Sequence, residues 1–352
     1  MNIIMLTASM CGGGTERVIS VLANDMVQKG LEVTILMTAG NEVVYELNQN
    51  IRIEALGNRT GGSIMKRLIR IQKIRKHYKE DRSTIVISFG METNLFAVLA
   101  GIGLKNKIIL SERNDPNQCN FKLLRNILYR LADGFVFQTK EAKEYFCKSI
   151  RNKGVVIPNP IKESLVMPYM GKREEVIATV GRLQPQKNHA LLIHAFADFQ
   201  KSHPTYRLLI YGKGELETSL RELAEELGVK DKVIFAGFVE DAINQIRKAS
   251  MFVLSSDYEG ISNSLMEAMA IGMPVISTDC PIGGSALLIK NKENGLLVPV
   301  GDKRALTDAM IHLADDELYA ARMAQKACRI RQEYSGEEVC TKWITFIQRI
   351  GK

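Results

Sequence analysis

The chain spells one local unit again and again: a short apolar run, a polar loop, and a helical pattern of apolar residues. After a proline-rich interruption the series starts afresh. A short apolar run feeding a 3.6-residue periodicity is a strand leading into a helix, and repetition of that unit builds a parallel sheet with helices on both faces. In the first half, strand patterns fall at 2–7, 32–37, 51–55, 84–89, 107–111, 134–138 and 155–158; in the second at 176–180, 206–211, 232–236, 251–254, 274–278 and 295–298. Between the two series, Ile157-Pro-Asn-Pro-Ile161 and the polar segment up to Glu175 gather Pro158, Pro160, Pro168 and Gly171, which places a domain boundary there. We therefore expect Rossmann-like domains at 1–163 and 164–335, facing across a cleft. A last helix, 336–352, carries the only tryptophan, Trp343, and is expected to cross back onto the N-terminal domain.

Composition narrows the class. A 352-residue chain that is 46% hydrophobic can furnish two cores, and it contains no apolar run of the roughly 18 residues that a membrane span needs. The N-terminus, Met-Asn-Ile-Ile-Met-Leu-Thr, lacks the basic region of a signal peptide, so a cytoplasmic location is expected. Six cysteines (11, 119, 147, 280, 328, 340) have neither CxxC spacing nor partnering histidines, which reads as free thiols without a metal site.

Charge is unevenly placed. Residues 1–160 hold 23 Lys+Arg against 14 Asp+Glu, a net of +9, and the remaining 192 residues hold 24 against 25, a net of −1, which together give +8. An anionic partner is thus expected at the N-terminal half. Two basic amphipathic helices, 63–82 and 121–131, could lie on an anionic membrane, or could simply be lysine-rich outer faces of sheet helices.

The chemistry concentrates in 255–278: a strand end, a glycine-containing loop, a helix from about Asn263, a stop at Gly272, and another strand. Glu259 and Glu267 bracket the loop and the first helical turn. Ser264-Leu-Met-Glu267 is also a legitimate capping box, which would make Glu267 structural. Arg182 and Lys187 follow the first strand of the second half, and in a doubly wound sheet these loops share the carboxyl edge. A cationic pair suits a diphosphate and two carboxylates suit neutral hydroxyls, a combination that describes a nucleotide diphospho-sugar. In the first half, Cys11-Gly-Gly-Gly-Thr-Glu-Arg17 opens a helix with Thr15 as its expected cap. It is not GxGxxG, which argues against a nicotinamide oxidoreductase. Ser111-Glu-Arg-Asn-Asp-Pro116 sits just past a strand end, where ligand-facing loops lie.

In order and spacing, Gly181-Arg182-Leu183 with Lys187-Asn188, Gly212-Lys-Gly214, and Glu259 with seven residues before Glu267-Ala-Met-Ala-Ile-Gly-Met-Pro274 resemble the family 4 retaining glycosyltransferases of the GT-B fold. The first half resembles the same family more loosely through residues 12–17, 111–116 and 157–160, in the manner of bacterial transferases that build surface polysaccharides and lipid-linked glycans. The resemblance implies a metal-independent enzyme without a cofactor, using a UDP-sugar or similar donor and a lipid-linked or soluble saccharide acceptor, not nucleic acid. It implies catalytic roles for Arg182, Lys187 and Glu259. Arg182 and Lys187 would meet the donor diphosphate, Glu259 the sugar hydroxyls and Glu267 the ribose. Gly181, Gly212, Gly260, Ile261, Ser262, Asn263, Ser264 and Leu265 would line the donor site, Gly13 and Gly14 would approach from the other domain, and Glu112, Arg113 and Asn114 would lie on the acceptor side. One departure is Ala286, where similar members carry an acid.

Overall fold

In the computed structural model of the protein, residues 1–57, 64–119, 121–239 and 241–352 are described. The chain divides into two units, Met1–Lys162 with Tyr334–Lys352, and Glu163–Glu333. Unit 1 holds β1 (Asn2–Thr7), β2 (Glu32–Met37), β3 (Arg52–Ala55), β4 (Ile85–Phe89), β5 (Lys107–Ser111), β6 (Gly134–Phe137) and β7 (Gly154–Val156). They pair in parallel in the order β3-β2-β1-β4-β5-β6-β7. Unit 2 holds β8 (Glu174–Val180), β9 (Arg207–Tyr211), β10 (Val233–Gly237), β11 (Ala249–Leu254), β12 (Val275–Thr278) and β13 (Leu296–Val298), again all parallel, in the order β10-β9-β8-β11-β12-β13. These are two doubly wound α/β sheets.

Strand order reverses between β1 and β4 in unit 1 and between β8 and β11 in unit 2. At such a point successive connections leave to opposite faces, which opens a crevice at the carboxyl edge. The loop after β8 carries Arg182 and Lys187, and the loop after β11 carries Glu259. Their strands are hydrogen-bonded neighbours.

Helix ends depart from expectation in ways that matter for the site. α1 (Gly14–Gln28) starts from Gly13, not Thr15, and no side chain of the cap residue bonds its first turn. The helix expected at 63–82 is α2 (Ile64–Glu80), and Ser63 lies outside the described residues. α3 (Met91–Gly101) packs against both α2 and α4 (Lys122–Tyr129), so the three form one layer on the unit 1 sheet.

The terminal helix Gly336–Gly351 is set by its own chemistry. Ser335 caps it by accepting from Glu338 N–H, Glu337 and Glu338 stand at the positive end, and Arg349 stands at the other. Its apolar stripe, Val339, Cys340, Trp343, Phe346 and Ile347, is buried in the unit 1 core with α1 residues such as Val18 and Leu22. Trp343 is 0% exposed and its ring lies 5.8 Å from that of Phe89 at the end of β4. Trp343→Ala is expected to cost about 3–5 kcal/mol of unit 1 stability, the usual range for emptying a buried aromatic site. Urea denaturation would measure it, and a variant as stable as the parent would contradict this packing.

Candidate active site

The centre of the unit 2 edge is an ion pair. Lys187 Nζ contacts Glu259 Oε1, with only 15% and 8% of the two side chains exposed. Ser256 Oγ donates to the same carboxylate oxygen at 2.7 Å, and Gln186 Nε2 reaches the other at 3.3 Å while also donating to the Tyr258 carbonyl at 2.9 Å. Asn188 Nδ2 donates to Asp257 Oδ1 (2.7 Å), Asp257 N–H to the Gln186 carbonyl (2.9 Å), and Ser255 Oγ to the carbonyls of Lys187 and Asn188 (3.0 Å each). The two loops are thus sewn to each other along their length. Two charges are taken from water here, which is tolerated because they meet each other and because polar neighbours satisfy the remaining lone pairs.

Local sequence explains the loop shapes. Asn188 adopts a left-handed conformation (φ 42°) and its side chain accepts from Leu191 N–H at 3.1 Å, capping the helix His189–Phe199. Asparagine tolerates that conformation better than branched residues do. Gly212 has φ 149°, and a Cβ there would overlap the Gly181 carbonyl. A Cβ on Gly284 would overlap the carbonyl of Gly260. Lys187 lays its methylene stem along Gly181, with its Cδ 3.4 Å from where a Cβ would sit.

The helix Asn263–Ala270 starts from Ser262, whose Oγ accepts from Leu265 N–H at 3.4 Å. The Ser264–Glu267 capping box therefore does not form: the chain enters the helix two residues before Ser264, and the residue three past the cap is Leu265. Of the residues expected to line the donor site at this helix tip, Leu265 has its backbone N–H already capped. Asn263 and Ser264 are partly exposed, whereas Gly260, Ile261 and Ser262 are buried. Glu267 is only 2% exposed. Arg182 stands apart from the ion pair, exposed, with no ion pair of its own among the described residues.

His189, directly after the Lys187-Asn188 pair, is buried beside the Gly181 and Arg182 backbone. Burial and then the Lys187 charge hold its pKa down to about 4, so it is neutral. Burial pushes the Cys280 thiol up to about 12, which removes it as a nucleophile. Among the described residues no three His, Cys, Asp or Glu side chains are grouped to hold a metal.

In unit 1, Gly13 and Gly14 open α1, but the Glu16 carboxylate folds back over Gly13, held by Ser9 Oγ at 3.0 Å. Tyr45 Oη donates to the Gly13 carbonyl at 2.8 Å. The end of β5 splits its three expected residues. Glu112 is buried, receiving Tyr129 Oη and Asn94 Nδ2 (3.2 Å). Burial pushes its carboxyl up, against the hydrogen bonds of Tyr129 and Asn94 and the charge of Arg125. Arg113 is partly exposed and Asn114 is exposed. Sequence reasoning missed Gln186, Ser256 and Asp257 in unit 2 and Glu16 and Tyr45 in unit 1. Gln186, Ser256, Asp257 and Glu16 carried a signal, as polar neighbours of Lys187, of Glu259 and of the glycine loop, whereas Tyr45 carried none.

Comparison with known proteins covers most of the chain. The family description "Glycosyltransferase Family 4" matches residues 12–165, and "Glycosyl transferases group 1" matches residues 170–329. A Campylobacter jejuni protein, GalNAc-alpha-(1→4)-GalNAc-alpha-(1→3)-diNAcBac-PP-undecaprenol alpha-1,4-N-acetyl-D-galactosaminyltransferase, is 26% identical over 359 residues, covering 99% of each chain. A second from that organism, N-acetylgalactosamine-N,N'-diacetylbacillosaminyl-diphospho-undecaprenol 4-alpha-N-acetylgalactosaminyltransferase, is also 26% identical, covering 91% of this chain and 92% of its own. Among solved structures, Anabaena HepE in complex with UDP and glucose aligns with a TM-score of 0.85 at 18% identity over 99% of each chain.

The neutral histidine gives the site a measurable signature. The unfolded chain protonates His189 at about 6.5 and the folded state only at about 4, so its contribution to stability is complete above 6.5. That contribution falls away as pH drops towards 4, by on the order of 3 kcal/mol. His189→Phe is expected to flatten this part of the stability profile in urea titrations at pH 7 and 4.5. Parallel profiles for variant and parent would refute it.

Proposed function

The chain belongs to the family 4 glycosyltransferases and has the GT-B fold, and from that premise we propose that it moves a hexose or N-acetylhexosamine, with retention of configuration, from a UDP-sugar to a polyprenyl-diphosphate-linked saccharide. The observation that carries the donor half is the Lys187–Glu259 pair at the β8/β11 reversal. Loss of a nucleoside diphosphate puts growing negative charge on the bridging phosphate oxygen. A cation already fixed in a partly desolvated loop stabilises that charge without reorganising.

On this reading Lys187 exchanges part of its contact with Glu259 for the donor diphosphate, and the exposed Arg182 closes on the same group. Glu259, held by Ser256 and Gln186, then turns its carboxylate to the sugar hydroxyls. Glu267 meets the ribose. Among the described residues the carboxylate at the pair is Glu259, and it is engaged by Lys187, Ser256 and Gln186 rather than free to attack. Attack from the leaving-group side is therefore favoured, with the departing phosphate taking the acceptor proton. No resident cofactor or metal is needed for this chemistry.

Support for the acceptor half comes from the two Campylobacter relatives, whose names specify undecaprenol-linked substrates, and from the helical layer of unit 1. Among the described residues no helix is long and apolar enough to cross a membrane. α2 nevertheless exposes Ile64, Met65, Leu68 and Ile69, and α4 with its flanks exposes Phe121, Leu123, Leu124, Ile127 and Leu131, with Leu123 77% exposed. Lys66, Arg67, Lys122 and Arg130 stand among them on the surface. Exposed apolar side chains ringed by cations suit an anionic bilayer surface, where a lipid-linked acceptor resides.

Arg182→Ala and Lys187→Ala are each expected to lower the transfer rate by roughly 10²-fold or more. Lys187→Ala should also lose stability, because it strands a buried carboxylate, whereas the exposed Arg182 should not. Turnover assays paired with thermal melts separate the two, and near-parental turnover in both variants would sink the assignment. Flotation with phosphatidylglycerol vesicles should recover the protein at low salt, and Leu123→Asp with Ile127→Asp should abolish that recovery. Identical flotation of this double variant would remove the membrane reading.

A further inference from the structure

Arg113 is a cation held only by neutral groups. It follows Glu112 at the end of β5, yet the acid is committed inward to Tyr129 and Asn94. Arg113 Nη2 instead donates to Asn159 Oδ1 at 2.6 Å, Nη1 reaches Ser111 Oγ at 3.5 Å, and the guanidinium lies over the Phe89 ring, 5.9 Å from its centroid. Gln138 Nε2 donates to the same Asn159 oxygen at 2.6 Å, so that acceptor serves two donors. Arg113 Nε is enclosed without a hydrogen-bond partner, and among the described residues no carboxylate lies within ion-pair distance of the guanidinium.

Arg113 is only partly exposed, its enclosed Nε has no partner and no counter-charge stands beside it, so the cation is incompletely compensated and burial draws it down to about 9. The group is nonetheless fixed in place by residues at the ends of four adjacent strands: Phe89 of β4, Ser111 of β5, Gln138 after β6 and Asn159 after β7. A guanidinium preoriented at the ligand-bearing edge of a parallel sheet, with its counter-charge missing, is accounted for when a ligand brings the anion.

We infer that Arg113 binds a phosphate oxygen of the acceptor, making the β5 edge of unit 1 the diphosphate subsite for a lipid-linked saccharide. This rests on the acceptor reading given above. Arginine's planar fork suits phosphate, and this half of the chain carries all of the excess positive charge. The donor diphosphate already has cations of its own, Arg182 and Lys187, in the other unit.

The test compares the full chain with Arg113→Gln, which retains an N–H for Asn159, and Arg113→Lys, which retains the charge without the fork. Initial rates are measured with a polyprenyl-diphosphate-linked saccharide and with an alkyl glycoside of the same saccharide lacking phosphate. Arg113→Gln is expected to raise KM for the diphosphate acceptor at least tenfold, with Arg113→Lys in between, while KM for the UDP-sugar and for the alkyl glycoside moves less than twofold. A rise for both acceptors alike, or a rise in donor KM instead, overturns the subsite. Should the parent use no lipid-linked saccharide at all, the acceptor reading fails by itself. Arg113 is then decided by inorganic pyrophosphate, titrated as a thermal shift with UDP saturating the donor site. Stabilisation of the parent that is absent in Arg113→Gln supports an anion site there, and equal stabilisation of the two refutes it.

Discussion

Lys187 and Glu259 come from neighbouring strand ends, and the C-terminal unit is built to keep them in contact out of water. Neither charge is stable there alone. The pair requires β8 and β11 to be adjacent, which the strand order supplies, and it requires both loops to lie close, which Asn188–Asp257, Ser255 and Gln186 enforce. The loops after β9 and β12 press on these two in turn, at Gly212 and Gly284, where a Cβ would overlap the carbonyls of Gly181 and Gly260. Glycine at these positions is thus a steric condition for how the loops around the pair pack.

The neutral His189 and the protonated Cys280 complete this arrangement. Both flank the pair without adding charge to it, the histidine because burial and the Lys187 ammonium oppose its protonation, the cysteine because burial opposes its ionisation. The ammonium and the carboxylate are left as the charges that a polar ligand can engage. On the proposed reading a diphosphate would compete for the first and sugar hydroxyls for the second.

Unit 1 handles charge in the reverse manner. Its edge acid, Glu112, is drawn into the interior and its edge base, Arg113, is left with neutral partners. An alternating chain at a strand end sends successive side chains in different directions, so an adjacent Glu-Arg pair need not be an ion pair. This separation leaves a positive edge in the half of the molecule that already carries a net +9. The exposed apolar layer of α2 and α4 lies on the same unit, so the features suited to a phosphate-bearing lipid gather there and those suited to a nucleotide sugar gather on the other.

The sequence by itself determined the two doubly wound sheets, the proline-rich junction, and the positions of Lys187, Glu259 and Glu267, because hydrophobic period, glycine placement and motif spacing are local properties of the chain. It also held the family, through the ordered residues from Gly181 to Pro274. What only the tertiary structure decided is who meets whom. Ser264 and Glu267 have capping-box spacing, yet Ser262 takes the cap because the backbone direction leaving the Glu259 loop sets where the helix begins. Arg182 and Lys187 read as one cationic pair, yet only Lys187 is buried on Glu259. Glu112 and Arg113 read as one polar cluster, yet burial separates them. Spacing along a chain specifies which residues reach a sheet edge. Partner choice there depends on desolvation and on contacts between strands far apart in sequence, and those exist only once the sheet has formed.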